Sequence, residues 1–170
     1  MFDRVRIAVL AALCLMAPGL AQADDNDPDA LAFGAGWWDV VQNKDTAGLL
    51  NIEYRSDKKL WWFKPQVGMF GTSKGGFYLY SGIRLDVYLG DRFVFTPSFS
   101  PGVYHNGNGR DLGFELEFRS SAEIAYRFDD YSRLSLGIAH LSNASLGDKN
   151  PGVETLTLTY SVPLSKLIGK

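Results

Sequence analysis

Of 170 residues only Cys14 is a cysteine, and only His105 and His140 are histidines. One thiol excludes a disulfide-stapled secreted scaffold, and it also excludes paired-cysteine and Cys/His zinc sites. Charge of one sign is missing too. There are 17 Lys+Arg against 19 Asp+Glu, a net of -2, whereas a nucleic-acid binder shows a basic excess. Long apolar runs are absent: Ile7 to Ala17 falls well short of the ~20 residues a membrane helix needs. With a mean hydropathy of -0.08, a bundle of membrane helices is excluded. What the chain has is aromatics, 11 Phe, 8 Tyr and 4 Trp. That content, with so little net charge, rules out a disordered chain. The length fits one domain.

The first residues read as an export signal. Arg4 and Arg6 precede the apolar Ile7 to Ala17; Pro18 and Gly19 follow, and then Ala21-Gln22-Ala23 as a small-residue cleavage site. Residues 1–23 are therefore expected to be a signal peptide and residues 24–170 the mature domain. Removing Asp3, Arg4 and Arg6 leaves 15 basic and 18 acidic residues, and Cys14 goes with the leader.

The mature chain alternates with a period of two. Leu112, Phe114, Leu116, Phe118, Ile124, Tyr126 and Phe128 share one parity, and Glu115, Glu117, Arg119, Glu123 and Arg127 the other. Such a run is a strand with one apolar and one charged face. Eight runs are expected, at 31–41, 46–55, 60–71, 77–89, 92–104, 112–128, 131–142 and 153–164, separated by turn-rich clusters. Eight alternating strands suit a soluble lipocalin-like barrel or an all-β, eight-stranded antiparallel transmembrane barrel of the bacterial outer membrane. The apolar faces are too bulky to fill one narrow barrel, while the charges on the other faces can cross-pair inside it. The membrane barrel is the better fit. Trp37, Trp38, Trp61, Trp62, Tyr54, Tyr126 and Tyr160 are candidates for interfacial girdles. An even strand number puts both termini in the periplasm, so His105–Asp111 and Asn143–Gly152 become outward loops.

The run at 131–142 carries Leu134, Leu136, Ile138, His140 and Ser142 on one parity, so a His and a Ser continue a lipid-facing row. The last run opens with Glu154 at the head of Leu156, Leu158 and Tyr160. A hairpin between the two runs places His140, Ser142 and Glu154 on one surface at one end. Same-face neighbours on a strand lie roughly 6.6 Å apart, within reach of an imidazole and a hydroxyl. Serine needs an adjacent base, and a carboxylate can orient that base. His and Ser are also common at strand ends, so a solvated polar rim is the plain alternative. His105 sits beside Asn106-Gly-Asn-Gly and reads as a solvated loop residue. The lumenal Glu and Arg residues read as a structural charge network. No GxSxG, P-loop, HExxH or GxGxxG occurs.

The stretch His140-Leu-Ser142-Asn143-Ala144, followed by Asn150-Pro-Gly152 and Glu154, resembles the signature of the lipid A 3-O-deacylases of the PagL type. The resemblance implies an outer-membrane serine esterase that removes the ester-linked 3-hydroxyacyl chain at position 3 of lipid A. It implies Ser142 as nucleophile, His140 as general base and Glu154 as its orienter. Asn150, with amides of the loop after Ser142, would hold the oxyanion, and Asn143 matches the motif as a supporting residue. No metal or organic cofactor is implied. The expected partners are lipopolysaccharide and outer-membrane lipids, not nucleic acid, and a homodimer is left open. The expected location is the Gram-negative outer membrane, with the site toward the outer leaflet. Two other readings stand beside it: a non-catalytic barrel for adhesion or envelope structure, and a soluble lipocalin-like lipid binder.

Overall fold

A computed structural model describes residues 27–169. The expected signal peptide, residues 1–23, lies outside the described residues. The strands are β1 (Ala30–Trp38), β2 (Ala47–Arg55), β3 (Lys64–Thr72), β4 (Phe77–Arg84), β5 (Val87–Leu89), β6 (Phe93–His105), β7 (Leu116–Arg127), β8 (Arg133–Ser142) and β9 (Val153–Pro163). A single helical turn, α1 (Leu164–Leu167), follows β9.

Apart from β4 and β5, consecutive strands pair antiparallel; β1 pairs with β9, and β4 joins β6, so the sheet closes on itself. β4 and β5 are one stave of the barrel. Ile83 faces Phe99 and Val87 faces Phe95, an unbroken register along β6. The ladder is interrupted opposite Pro97. Leu85 N–H donates to the Pro97 carbonyl at 3.0 Å, but proline has no N–H to return the bond. The barrel thus has eight staves, as the alternation predicts. Closure leaves no edge strand exposed, which is what a chain crossing lipid requires.

Parity sorts the side chains. Leu134, Leu136, Ile138, Leu158, Tyr160, Phe33, Leu50, Leu79 and Phe99 face outward, while Ser135, Thr155, Thr157, Thr159, Arg55 and Glu53 are buried inside. A soluble lipid binder has the reverse arrangement. That many exposed large apolar side chains exceed what a soluble monomer shows.

The interior divides along its axis. At the end where β1 begins and β9 ends, charges pair. Arg55 binds Glu123 through both terminal nitrogens (2.8 and 2.9 Å) and Glu53 through Nε (2.8 Å). Asp86 accepts from Arg84 (2.6 Å), Thr96 (2.9 Å) and Arg133 (3.2 Å). Asp27 accepts from Arg127 (2.6 Å) and Arg133. At the opposite end the core is aromatic and aliphatic: Trp38, Leu49, Phe70, Tyr78, Tyr80, Tyr104, Leu112, Leu141 and Val153 pack together. Trp38 stacks on Tyr104 with ring centroids 5.4 Å apart.

Several sequence expectations are corrected here. Trp38 is not a girdle residue. It is 1% exposed, because it shares parity with the buried Ala32, whereas Trp37 points outward. Leu112 is buried rather than lipid-facing, and Glu115 is an exposed loop residue, because β7 begins only at Leu116. The run expected from residue 60 begins at Lys64. Leu60 and Phe63 instead close a tight turn in which Trp61 has φ 64 and is 90% exposed.

Candidate active site

The four connections at the aromatic end, residues 39–46, 73–76, 106–115 and 143–152, form one rim. They are tied together by Asn108 N–H to the Lys74 carbonyl (2.9 Å), Arg110 to Gln42 Oε1 (2.8 Å) and Gln42 Nε2 to the Pro151 carbonyl (3.1 Å). β8 and β9 end at this rim, and their register sets His140 directly opposite Glu154. His140 Nδ1 lies 3.1 Å from Glu154 Oε1. A carboxylate oxygen only accepts, so Nδ1 carries a proton, and in the neutral ring Nε2 then presents a lone pair. The pair lies on the outer face, with side chains 48% and 22% exposed. Glu154 Oε2 is buried and has no partner among the described residues.

Ser142 lies two residues beyond His140 on the same face of β8, opposite Phe118 of β7. Phe118 stacks on Phe99 with centroids 5.9 Å apart, so an aromatic surface flanks the serine on the lipid side. Among the described residues no hydrogen bond joins Ser142 to His140. Catalytic hydrogen bonds are often loose before substrate arrives.

The loop after Ser142 is built around Asn143. Its side chain is fully buried. Nδ2 donates to the carbonyls of Leu112 (2.9 Å) and Lys149 (2.8 Å), and Oδ1 accepts from Ser145 N–H (2.9 Å). Both side-chain donors are spent inside, so Asn143 supports the loop and has no side-chain donor for an oxyanion. Ala144 and Ser145 follow with φ 53 and 65. Their left-handed conformation turns the chain sharply past the serine, and the Ala144 N–H is not drawn into any of these bonds. Asn150 Oδ1 accepts Asn143 N–H at 3.1 Å. A backbone N–H fixes which amide atom faces it, so the Asn150 oxygen faces Asn143 and its Nδ2 has no partner among the described residues.

His140, Ser142, Glu154, Asn143 and Asn150 are therefore brought together as the sequence predicts. His105 ends β6 and lines a separate open cleft with Asp111, Phe114 and Glu115.

The lipid A 3-O-deacylase (PagL) family matches residues 46–163, more than half of the chain and including every one of these residues. The chain belongs to this family. As a lipid A 3-O-deacylase it is an outer-membrane ester hydrolase whose substrate is the lipid A of lipopolysaccharide. Among solved structures it is similar to the outer-membrane enzyme PagL, at 17% identity and a TM-score of 0.64 over 79% of this chain and 99% of that one. It also matches the backbone structure of the Yersinia pestis outer-membrane protein Ail, at 10% identity and a TM-score of 0.46 over 78% and 99%. No curated protein sequence matches the chain. Membership of an enzyme family decides against a purely structural or adhesive barrel.

Sequence reasoning missed a second set of rim residues. Asp39 is fully buried and accepts the amides of Lys44 (2.8 Å) and Asp45 (2.7 Å). Arg110 reaches it at 3.0 Å and also donates to Gln42 Oε1 at 2.8 Å. These residues lie in loops, where alternation has no power. Three polar side chains in two separate connections gave no local signal that they meet.

Proposed function

We propose that deacylation at position 3 of lipid A runs through Ser142, His140 and Glu154. Ser142 Oγ attacks the carbonyl carbon of the 3-hydroxyacyl ester while His140 Nε2 takes its proton. The tetrahedral intermediate collapses by breaking the bond to the sugar O3, which leaves with the proton returned from His140. Water, deprotonated by His140, then attacks the acyl-serine; the acyl–Oγ bond breaks, His140 returns the proton to Ser142 Oγ, and the 3-hydroxy fatty acid is freed. Glu154 holds the Nδ1 tautomer throughout and stabilises the imidazolium. Asn150 Nδ2 and the Ala144 N–H are the donors offered to the oxyanion; one such donor is worth ~3 kcal/mol.

The observation that carries this reading is the His140–Glu154 pair, 3.1 Å apart on the lipid-facing side of the rim. A polar pair on that surface serves no packing purpose, and it meets an ester that lies in the same membrane plane. The reading puts the rim at the outer leaflet and both termini in the periplasm, with residues 1–23 as the export signal. The test is mass spectrometry of lipid A from cells expressing the wild type or Ser142→Ala. Loss of one 3-hydroxyacyl mass with the wild type alone is expected. The same loss with Ser142→Ala removes Ser142 from the mechanism.

A further inference from the structure

The His140 imidazole rests against bare backbone. A β-carbon built on Gly152 would stand 2.8 Å from His140 Cε1 and 3.4 Å from Nε2. Gly152 also has φ 59, a left-handed conformation that favours glycine. The seat of the ring is thus the Pro151–Gly152 segment, and that segment is gripped from a different loop. Gln42 Nε2 donates to the Pro151 carbonyl at 3.1 Å and reaches the Gly152 carbonyl at 3.5 Å. Gln42 is itself oriented. Arg110 has only donors, so the Gln42 oxygen must face it, at 2.8 Å, and the amide nitrogen must face the carbonyls. Arg110 is in turn fixed by the buried Asp39 carboxylate at 3.0 Å. The same loop grips the partner strand, since Val40 N–H donates to the Glu154 carbonyl at 3.2 Å.

We propose that Gln42, oriented by Arg110 and Asp39, is a positioning residue for the deacylase: it fixes the Gly152 backbone on which the His140 ring sits. The inference rests on His140 being the base in the reading above. Gln42 touches neither substrate nor imidazole. It acts by limiting the directions in which Nε2 can point, and a displacement of about 1 Å at a reacting group can cost on the order of 100-fold in rate.

Gln42→Glu separates positioning from loop stability. It keeps, and charges, the acceptor for Arg110, but it removes both donors and sets a carboxylate against two carbonyls. In the full-length barrel in lipopolysaccharide-containing micelles, kcat is expected to fall on the order of tenfold with KM within about twofold. The rate at which a fluorophosphonate labels Ser142 should fall by the same factor, because labelling needs the base but not lipid A. The folded fraction, read by heat-modifiable gel mobility, should be unchanged. If Gln42→Glu assembles poorly, Gln42→Met, measured per folded barrel, carries the same expectation.

Gly152→Ala should give the same signature. Gly75→Ala should not: Gly75 has φ 76 but nothing within 4 Å of its would-be β-carbon, so it imposes the backbone strain without the contact. Wild-type kcat and labelling in folded Gln42→Glu would overturn the proposal. So would an activity loss fully explained by a lower folded fraction. Activity in Ser142→Ala, by contrast, would remove the triad reading itself, so the two failures are distinguishable.

Discussion

Two carboxylate–base clusters sit on opposite sides of the same barrel wall. Inside, Arg55 uses Nε and both terminal nitrogens on Glu53 and Glu123. Outside, His140 touches Glu154 through Nδ1 alone, and the rest of its ring stands half-exposed on the surface. The inner cluster closes on itself inside a polar lumen that lipid cannot reach. The outer one has unused bonding capacity on a surface where polar groups are costly. On the mechanism proposed above, that contrast separates a cluster that holds the fold from one that serves a substrate. Incomplete bonding alone is not the criterion. Glu117 is fully buried in the aromatic half of the lumen, and neither of its carboxylate oxygens has a partner among the described residues. It is enclosed by the wall, so no lipid can reach it. Openness and accessibility must coincide.

The sharpest break of this comparison lies at the outer cluster. Glu154→Ala should reduce kcat severely, yet the loss should be about a hundredfold smaller than for Ser142→Ala, as expected when a carboxylate orients a base and does not itself react. Barrel stability in urea should be nearly unchanged in both. Equal losses from the two variants, each folded, would mean that Glu154 does more than orient.

At the inner cluster the pattern should invert. Arg55→Ala leaves two buried carboxylates without their cation and should lower barrel stability by about 3–5 kcal/mol. Deacylation per folded molecule should hold within about twofold, since Arg55 belongs to the terminal half of the lumen. A specific loss of activity in the folded variant would link the two sides of the wall. Glu117→Met probes the enclosed carboxylate between these extremes. Removing a buried polar group that has no partner should stabilise the barrel by about 1–3 kcal/mol and leave kcat unaffected. Destabilisation in urea titration would show that Glu117 is satisfied by something other than protein.

The outward face was legible in the sequence because a barrel wall has a strict period of two. Parity alone aligned Leu134, Leu136, Ile138, His140 and Ser142, and hairpin pairing then brought Glu154 to His140. The same rule places Trp38 inward, but adjacent tryptophans suggest a shared girdle role that only one of them can fill. Parity fails where the ladder stops. Leu112 and Glu115 precede β7, and Leu60 to Trp62 precede β3, so their directions are set by turn geometry instead. The Asp39–Arg110–Gln42 chain was illegible for the same reason: its order comes from two loops converging over a closed barrel.

The smallest expected effect concerns a rim contact that resembles the outer cluster but lacks its placement. Asp111 and Lys149 form an ion pair at 2.7 Å, both more than half exposed. The Lys149 ammonium, and then the Gly113 N–H, hold the Asp111 carboxyl below its usual range. A carboxyl depressed by folding stabilises the folded state above its unfolded pKa of ~4, and that contribution fades as pH falls through the lower folded value. Solvent screens the pair, so at pH 7 Asp111→Asn should change urea stability by less than ~1 kcal/mol, and at strongly acidic pH the two proteins should converge. Activity should stay within about twofold, because the adjoining loop is held by Asn143 through the Leu112 and Lys149 carbonyls and not by the ion pair. A larger activity loss at neutral pH would mean that this exposed pair, not buried Asn143, sets the turn that follows Ser142.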